Sequence, residues 1–252
     1  MSQLKGACII GQSGGPTAVI NASAYGVIRT ALDNPNITKV YGAAHGIRGV
    51  LDDVLYDMGQ EDPQELALMM HTPSSILGSC RYKLKDSSED ETDYKYMQQQ
   101  GYECRIMGVP KTIDNDLWGT DHCPGFASAA KYVATSCMEL YHDAFVYDTS
   151  MICIIEIMGR HAGWLAGSAA IASYLGQGPD LVYLPEVDFD LDSFLADVSR
   201  IYRKRGKCII AVSEGIHDRD GKLIAEYAAQ GETAVDSFGH KQLGGLAATL
   251  VA

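Results

Sequence analysis

The chain has 252 residues, 46% hydrophobic and 21% charged, so it can bury a sizeable core and is neither fibrous nor disordered. A formal net charge of −12 excludes the basic surface that draws nucleic acid or anionic membranes, so an anionic ligand needs a local basic pocket. No apolar run approaches the ~18 residues that read as a membrane span, and the N-terminal "MSQLKGACII" enters a strand-like run rather than a signal peptide. The 7 cysteines show no C-x-x-C pair and no paired framework. They read as reduced, mostly buried thiols of a cytoplasmic protein, and no zinc site is expected.

In chain order, residues 7–10 read as a buried strand, followed by the glycine-rich turn "GQSGGP". Pro16 then suits the first position of a helix, where its missing amide hydrogen costs nothing. A second strand is predicted over 37–43, and Asp62 and Pro63 mark the cap and start of a short helix to residue 70. The polar stretch 89–100 is helix-compatible, and the apolar run 104–109 predicts another strand. From Phe126, apolar residues recur at Ala130, Val133, Cys137, Leu140 and Tyr141 with helical spacing. Residues 151–157 predict a strand that enters a helix at Arg160, and 181–184 a further short strand. Phe194, Leu195, Val198, Ile201 and Tyr202 mark an amphipathic helix that Gly206 can terminate. A last strand spans 208–213. Strands alternating with helices predict an α/β fold of doubly wound parallel sheets with helices on both faces. A soft boundary falls near 120–126, dividing the chain into lobes 1–122 and 123–252.

Ligands of such folds bind beyond the carboxyl ends of the strands. Five polar or glycine-rich turns fall there: "GQSGGP", "PKTIDND", "MGRHAG", "PE" and "EGIHD". Each has an ordinary reading. Glycines at a strand-to-helix turn let amides approach a phosphate, yet the stretch lacks the P-loop's Lys-Ser/Thr and the G-x-G-x-x-G spacing of dinucleotide sites. Arg160 at a helix start opposes the macrodipole, which an anionic ligand would explain, although a lone arginine is more often a solvated charge. Arg81 and Lys83 of "GSCRYKL" read as a basic face, and Glu186 as a turn carboxylate. The 7 histidines show no ligand spacing. Five such turns on one edge read as one site.

In combination, "SGGPTAVINA", "GSCRY", "PKTIDNDL", "MGRHAGWLA", "LPE" and "VSEG" resemble the 6-phosphofructokinases, in order and in rough spacing, from about residue 5 onward. The lysine at 111, where a glycine goes with ATP as donor, is similar to the pyrophosphate-dependent branch. The resemblance implies two similar α/β lobes, the first on the phosphate-donor side and the second on the sugar-phosphate side. It implies transfer of a phosphoryl group to the 1-hydroxyl of fructose 6-phosphate. Asp114 would be the general base, Asp116 its support, and Lys111 the cation on the transferring group. Thr112, Ile113, Met158, Gly159, Arg160 and Glu186 would contact the sugar phosphate. Gly14, Gly15, Arg81 and Tyr82 would line the donor side. The implied cofactor is Mg²⁺, and the implied assembly a homo-oligomer, dimer or tetramer, without nucleic acid or membrane partners.

The chain departs from that pattern twice. Relatives carry a strand and a "GGxDS" loop, whose aspartate helps bind Mg²⁺, between "GSxRY" and "PKTIDND". Here roughly thirty residues, about one strand–helix unit, are missing, and no metal ligand is assigned. The chain also stops before the C-terminal portion that supplies another arginine contact, so both lobes are expected to be incomplete. ATP as donor, and a non-catalytic sugar-phosphate-binding or oligomer-forming form, remain the alternatives. A dinucleotide-dependent oxidoreductase stands further off, because its glycine fingerprint is absent.

Overall fold

The computed structural model describes residues 4–85, 88–89, 99, 101, 104–228 and 245–251. They gather into two compact units, which divide between Pro110 and Lys111. The predicted helical stretch at 89–100 falls almost wholly outside the described residues.

In the first unit, β1 (Gly6–Gly11) pairs in parallel with β2 (Ile37–Ala43), and β2 pairs antiparallel with the three-residue β3 (Leu55–Asp57). No residue pattern marks β3, which is too short for an alternation to register. Helix α1 (Ala18–Leu32) crosses one face of this sheet, with Ala24, Ile28 and Ala31 packed against Val40, Met58, Leu66 and Leu77. Cys8 and Ile10 of β1 point into that core, while Ile9, facing the other way, is 46% exposed. Pro16 lies outside α1. Thr17 takes the N-cap with extended dihedrals, so the proline only leads the chain in. Helix α2 (Ile47–Leu51) follows β2, and α3 (Pro63–Leu68) begins where Asp62 accepts a hydrogen bond from Gln64 N.

In the second unit, β4 (Met151–Ile157), β5 (Leu181–Tyr183) and β6 (Lys207–Ser213) are parallel in the order β4-β6-β5. Every residue of the central β6 is buried. Alternate residues serve opposite faces, as a strand's period of two requires. Ala211 joins Cys137, Ile157 and Leu165 under α4 (Phe126–Val146) and α5 (Trp164–Ser168). Cys208, Ile210 and Val212 join Phe194 and Val198 of α6 (Leu191–Arg205) and Leu246 of α8 (Leu246–Val251). A short α7 (Ala225–Ala228) completes this side. Gly206, left-handed at φ 69°, ends α6 as its sequence position predicts.

Two expectations fail locally. The strand-patterned run 104–109 forms no strand; it is irregular and exposed throughout. A strand requires a neighbour to complete its ladder, and among the described residues none lies alongside this run. Arg160 does not begin a helix either. Residues 158–163 form a loop, and α5 starts only at Trp164, so the dipole argument for that arginine falls away.

Candidate functional site

The parallel order of β4, β6 and β5 sends their carboxyl ends to one edge. Three of the five turns meet there, tied by short contacts. Ser213 Oγ donates to Gly159 O at 2.5 Å, and Gly159 N donates to Glu214 Oε1 at 3.3 Å. Gly159 has φ 132°, a backbone that side chains rarely adopt, and a Cβ there would sit 2.5 Å from Ala162 O. Gly215 packs on the Arg160 carbonyl so closely that a Cβ would overlap it. These glycines are what let the "MGRHAG" and "EG" turns interlock.

The "PKTIDND" segment joins the same group. Asp114 N donates to Thr112 Oγ1 at 3.1 Å, and Ile113 packs on the core beneath. Asn115, buried and left-handed at φ 61°, pins the rest of the loop. Its Oδ1 accepts from Cys123 N at 2.7 Å, and its Nδ2 donates to Asp121 O at 3.2 Å. The Asp114 side chain is half-buried, and its Oδ1 is enclosed without a hydrogen-bond partner. Burial raises its carboxyl above the ordinary carboxylate range, with Asp116 and then Glu214 adding to the rise; the charges of Arg160 and His161 oppose it. A carboxylate reluctant to ionise, facing an arginine and a histidine, is a group suited to taking up a proton.

Lys111 is half-buried, Asp116 and Met158 are exposed, and Gly159 is buried. Glu186 has a structural task as well, since its Oε1 accepts from Gly163 N at 2.7 Å just before α5. Beside the carboxylates, residues 115–121 and Trp164 line an open cleft of about 410 Å³, into which Trp118 stands fully exposed. Glu214 and His161, both in charge contact with Asp114, were not singled out in the sequence. The signal for Glu214 was there: it is the first residue after β6, as Glu186 follows close on β5.

In the first unit, the donor-side residues form their own cluster. Gly14 N donates to Cys80 O at 3.5 Å, Ser79 Oγ to Gly14 O at 2.6 Å, and Ser13 Oγ to Cys80 O at 3.0 Å. Behind them, the buried Gln12 takes hydrogen bonds from Ser75 Oγ and Leu77 N on Oε1 and donates to Asn21 Oδ1. "GQSGGP" and "GSCRY" are thereby one loop assembly, with Gly15 and Arg81 exposed on it. The Arg48 guanidinium lies 5.4 Å over the Tyr82 ring.

Among the described residues, no three His, Cys, Asp or Glu side chains gather to hold a metal ion. Asp114, with its orphaned oxygen, and Asp116 offer the one or two carboxylates that Mg²⁺ takes where phosphate oxygens and water complete its octahedron. The pair fits the ion only in the company of a phosphate ligand.

A pyrophosphate–fructose 6-phosphate 1-phosphotransferase of Halomonas elongata is 41% identical over 275 residues, covering 95% of this chain and 64% of the relative. One of Xanthomonas campestris pv. campestris is 42% identical over 284 residues, covering 98% and 66%. The solved pyrophosphate-dependent phosphofructokinase of Nitrosospira multiformis superposes with a TM-score of 0.70 at 39% identity, covering 86% of this chain and 62% of that one. The chain thus spans just under two thirds of the length of these relatives. The Xanthomonas alignment, at 284 positions, is longer than the 252-residue chain itself, so that relative carries residues with no counterpart here. The phosphofructokinase family model matches in two stretches, 7–104 and 91–250. Such matches run nearly from end to end, and the chain belongs to the phosphofructokinase family.

Proposed function

We propose that the chain carries the phosphoryl-transfer site of a pyrophosphate-dependent phosphofructokinase, moving a phosphoryl group from pyrophosphate to the 1-hydroxyl of fructose 6-phosphate. One observation carries the reading: Asp114 is held half-buried with an unpartnered oxygen and a raised proton affinity, in charge contact with Arg160. Asp114 takes the proton of the attacking hydroxyl, as a positioned carboxylate does in this chemistry. Asp116 supports it. Arg160, with the Met158 and Gly159 backbone, holds the sugar phosphate, and Thr112, Ile113 and Glu186 shape the same pocket. Lys111 neutralises charge on the transferring group, which a compact ammonium does well. The loop assembly of Gly14, Gly15, Arg81 and Tyr82 receives the donor. Asp116, together with phosphate oxygens, would hold Mg²⁺, which would supply further charge neutralisation. Seven free cysteines, as thiols are kept in a reducing compartment, support a cytoplasmic setting.

The test is a coupled assay for fructose 1,6-bisphosphate with pyrophosphate and, separately, ATP, each with Mg²⁺. Pyrophosphate should outperform ATP, and Asp114→Ala should cut turnover by about 10²–10⁴-fold while fructose 6-phosphate still binds. Turnover untouched by Asp114→Ala would remove Asp114 from its role. The alignment gap favours a second reading, a sugar-phosphate-binding form without turnover. Calorimetric binding with no product from either donor would put that reading in the first one's place.

A further inference from the structure

Trp118 is fully exposed, at 101%, yet its loop is not loose. The Asn115 side chain ties that loop to Cys123 N and Asp121 O. Thr120 N donates to Leu117 O at 3.2 Å, which closes a turn with Trp118 and Gly119 at its tip. Trp164, 58% exposed, is held as firmly. Glu186 Oε1 accepts from Gly163 N just before it, and Gly163 packs on Pro185 and Leu184. Holding two tryptophans in water on buttressed turns forgoes the burial that such large side chains ordinarily provide. Both line the open cleft of about 410 Å³ beside the carboxylates.

The lining decides what the cleft can take. Among the described residues that line it there is no lysine or arginine, while Asp116 and Asp121 place two carboxylates there with the Thr120 hydroxyl. Such a lining repels a phosphate. It suits a sugar on both counts. The C–H groups of a sugar face are drawn to an indole, whose ring face carries partial negative charge, and sugar hydroxyls donate to carboxylates. Asp116 is also in charge contact with Asp114, so the cleft adjoins the group proposed as the base.

We infer that this cleft receives the sugar of fructose 6-phosphate, with Trp118 and Trp164 as its aromatic walls; the inference rests on the function proposed for Asp114 and Arg160. The phosphate end stays with Arg160, and Asp121 and Thr120 take hydroxyls of the sugar. The two tryptophans are then substrate contacts that discriminate a sugar phosphate from phosphate alone.

The chain's 2 tryptophans both line the cleft, so their fluorescence reads it directly. Fructose 6-phosphate should shift the emission to shorter wavelength and saturate, and inorganic phosphate should not. In calorimetry, Trp118→Ala should bind fructose 6-phosphate about tenfold more weakly, with Trp118→Phe near the wild type. Trp118 stands wholly in solvent, so its replacement leaves the fold intact, which circular dichroism verifies. Tyr174→Ala, at 92% exposure in the same unit, is the control and should change nothing. Binding that Trp118→Ala leaves unchanged, or an emission shift with phosphate alone, overturns this inference and leaves the proposed function standing. A wild type that binds no fructose 6-phosphate overturns both.

Discussion

The two sheets have three strands each, but the central strand of one and an edge strand of the other differ sharply in how far they are covered. β6 has a neighbour on each side and helices on both faces, and all of it is buried. β1, at an edge, has one neighbour among the described residues and one packed face, and four of its six residues are exposed. The surroundings of the sheets differ in the same way. Lys207, buried at the start of β6, donates to Ala144 O and Tyr147 O at the end of α4, which satisfies carbonyls that a helix end leaves open. Glu156 of β4 accepts from Ala247 N at 3.0 Å, fixing the start of α8. The groups proposed for proton transfer and sugar binding all sit on the unit of β6, and the proposed donor loops on the unit of β1. A strand's burial, and the rigidity of the turn after it, come from its neighbours more than from its own residues.

That comparison is open to attack by substitution. The largest effect is expected at Gly215, where an added Cβ would overlap the Arg160 carbonyl. Gly215→Ala forces two tightly packed backbones apart and should cost about 2–4 kcal/mol of stability in the second unit. Both tryptophans, Trp118 and Trp164, belong to that unit, so their fluorescence during urea unfolding reports on it alone. A variant as stable as the wild type would mean that the interlocked turns are looser than their contacts imply.

A smaller effect attaches to Asp114 itself. Its proton affinity is raised on folding, first by burial and then by Asp116 and Glu214. The native state therefore holds this proton more tightly than the unfolded chain does. Stability should fall as pH climbs from the ordinary carboxylate range through the raised value, and then level off. Asp114→Asn removes that fall, so the variant should gain on the wild type towards neutral pH and lose its advantage in acid. Urea midpoints measured from about pH 3 to pH 7 check this. Parallel curves for the two proteins would mean that Asp114 is no more costly to ionise than a surface carboxylate. A gain in stability paired with a loss of turnover is the exchange expected of a group kept for chemistry.

The sequence made the second unit's sheet more legible than the first unit's. The apolar run at Met151–Ile157 and the glycine at 206 could be read because packing bore out what their local pattern offered. The run at 104–109 has the same pattern and no ladder, since periodicity records what a segment can do and not whether a neighbour exists. Arg160 was misplaced for a different reason. The glycines at 159 and 163 hold an open loop, and its shape depends on Gly215 and Glu186 from distant turns. Asn115 passed as one letter of "DND", although its buried amide holds the loop that carries the aspartates. Glu214 was visible as a residue following a strand but not as a neighbour of Asp114, because that contact spans about a hundred residues of sequence.

The smallest effect is expected at Gly6, at the start of the open strand. It does not have a positive φ, and a Cβ built on it meets nothing within 4 Å. Its amide already donates to Asn36 O at 3.1 Å on the β2 side, which a methyl group leaves undisturbed. Gly6→Ala therefore adds no clash and narrows the conformations of the unfolded chain, for a gain of about 0.4–1 kcal/mol. The contrast with Gly215 is the point of the pair: the same methyl group is tolerated where the backbone faces open space and rejected where two turns interlock. Differential scanning calorimetry measures the sign. A loss of stability would mean that the start of β1 is packed more tightly than the open space around a Cβ at Gly6 implies.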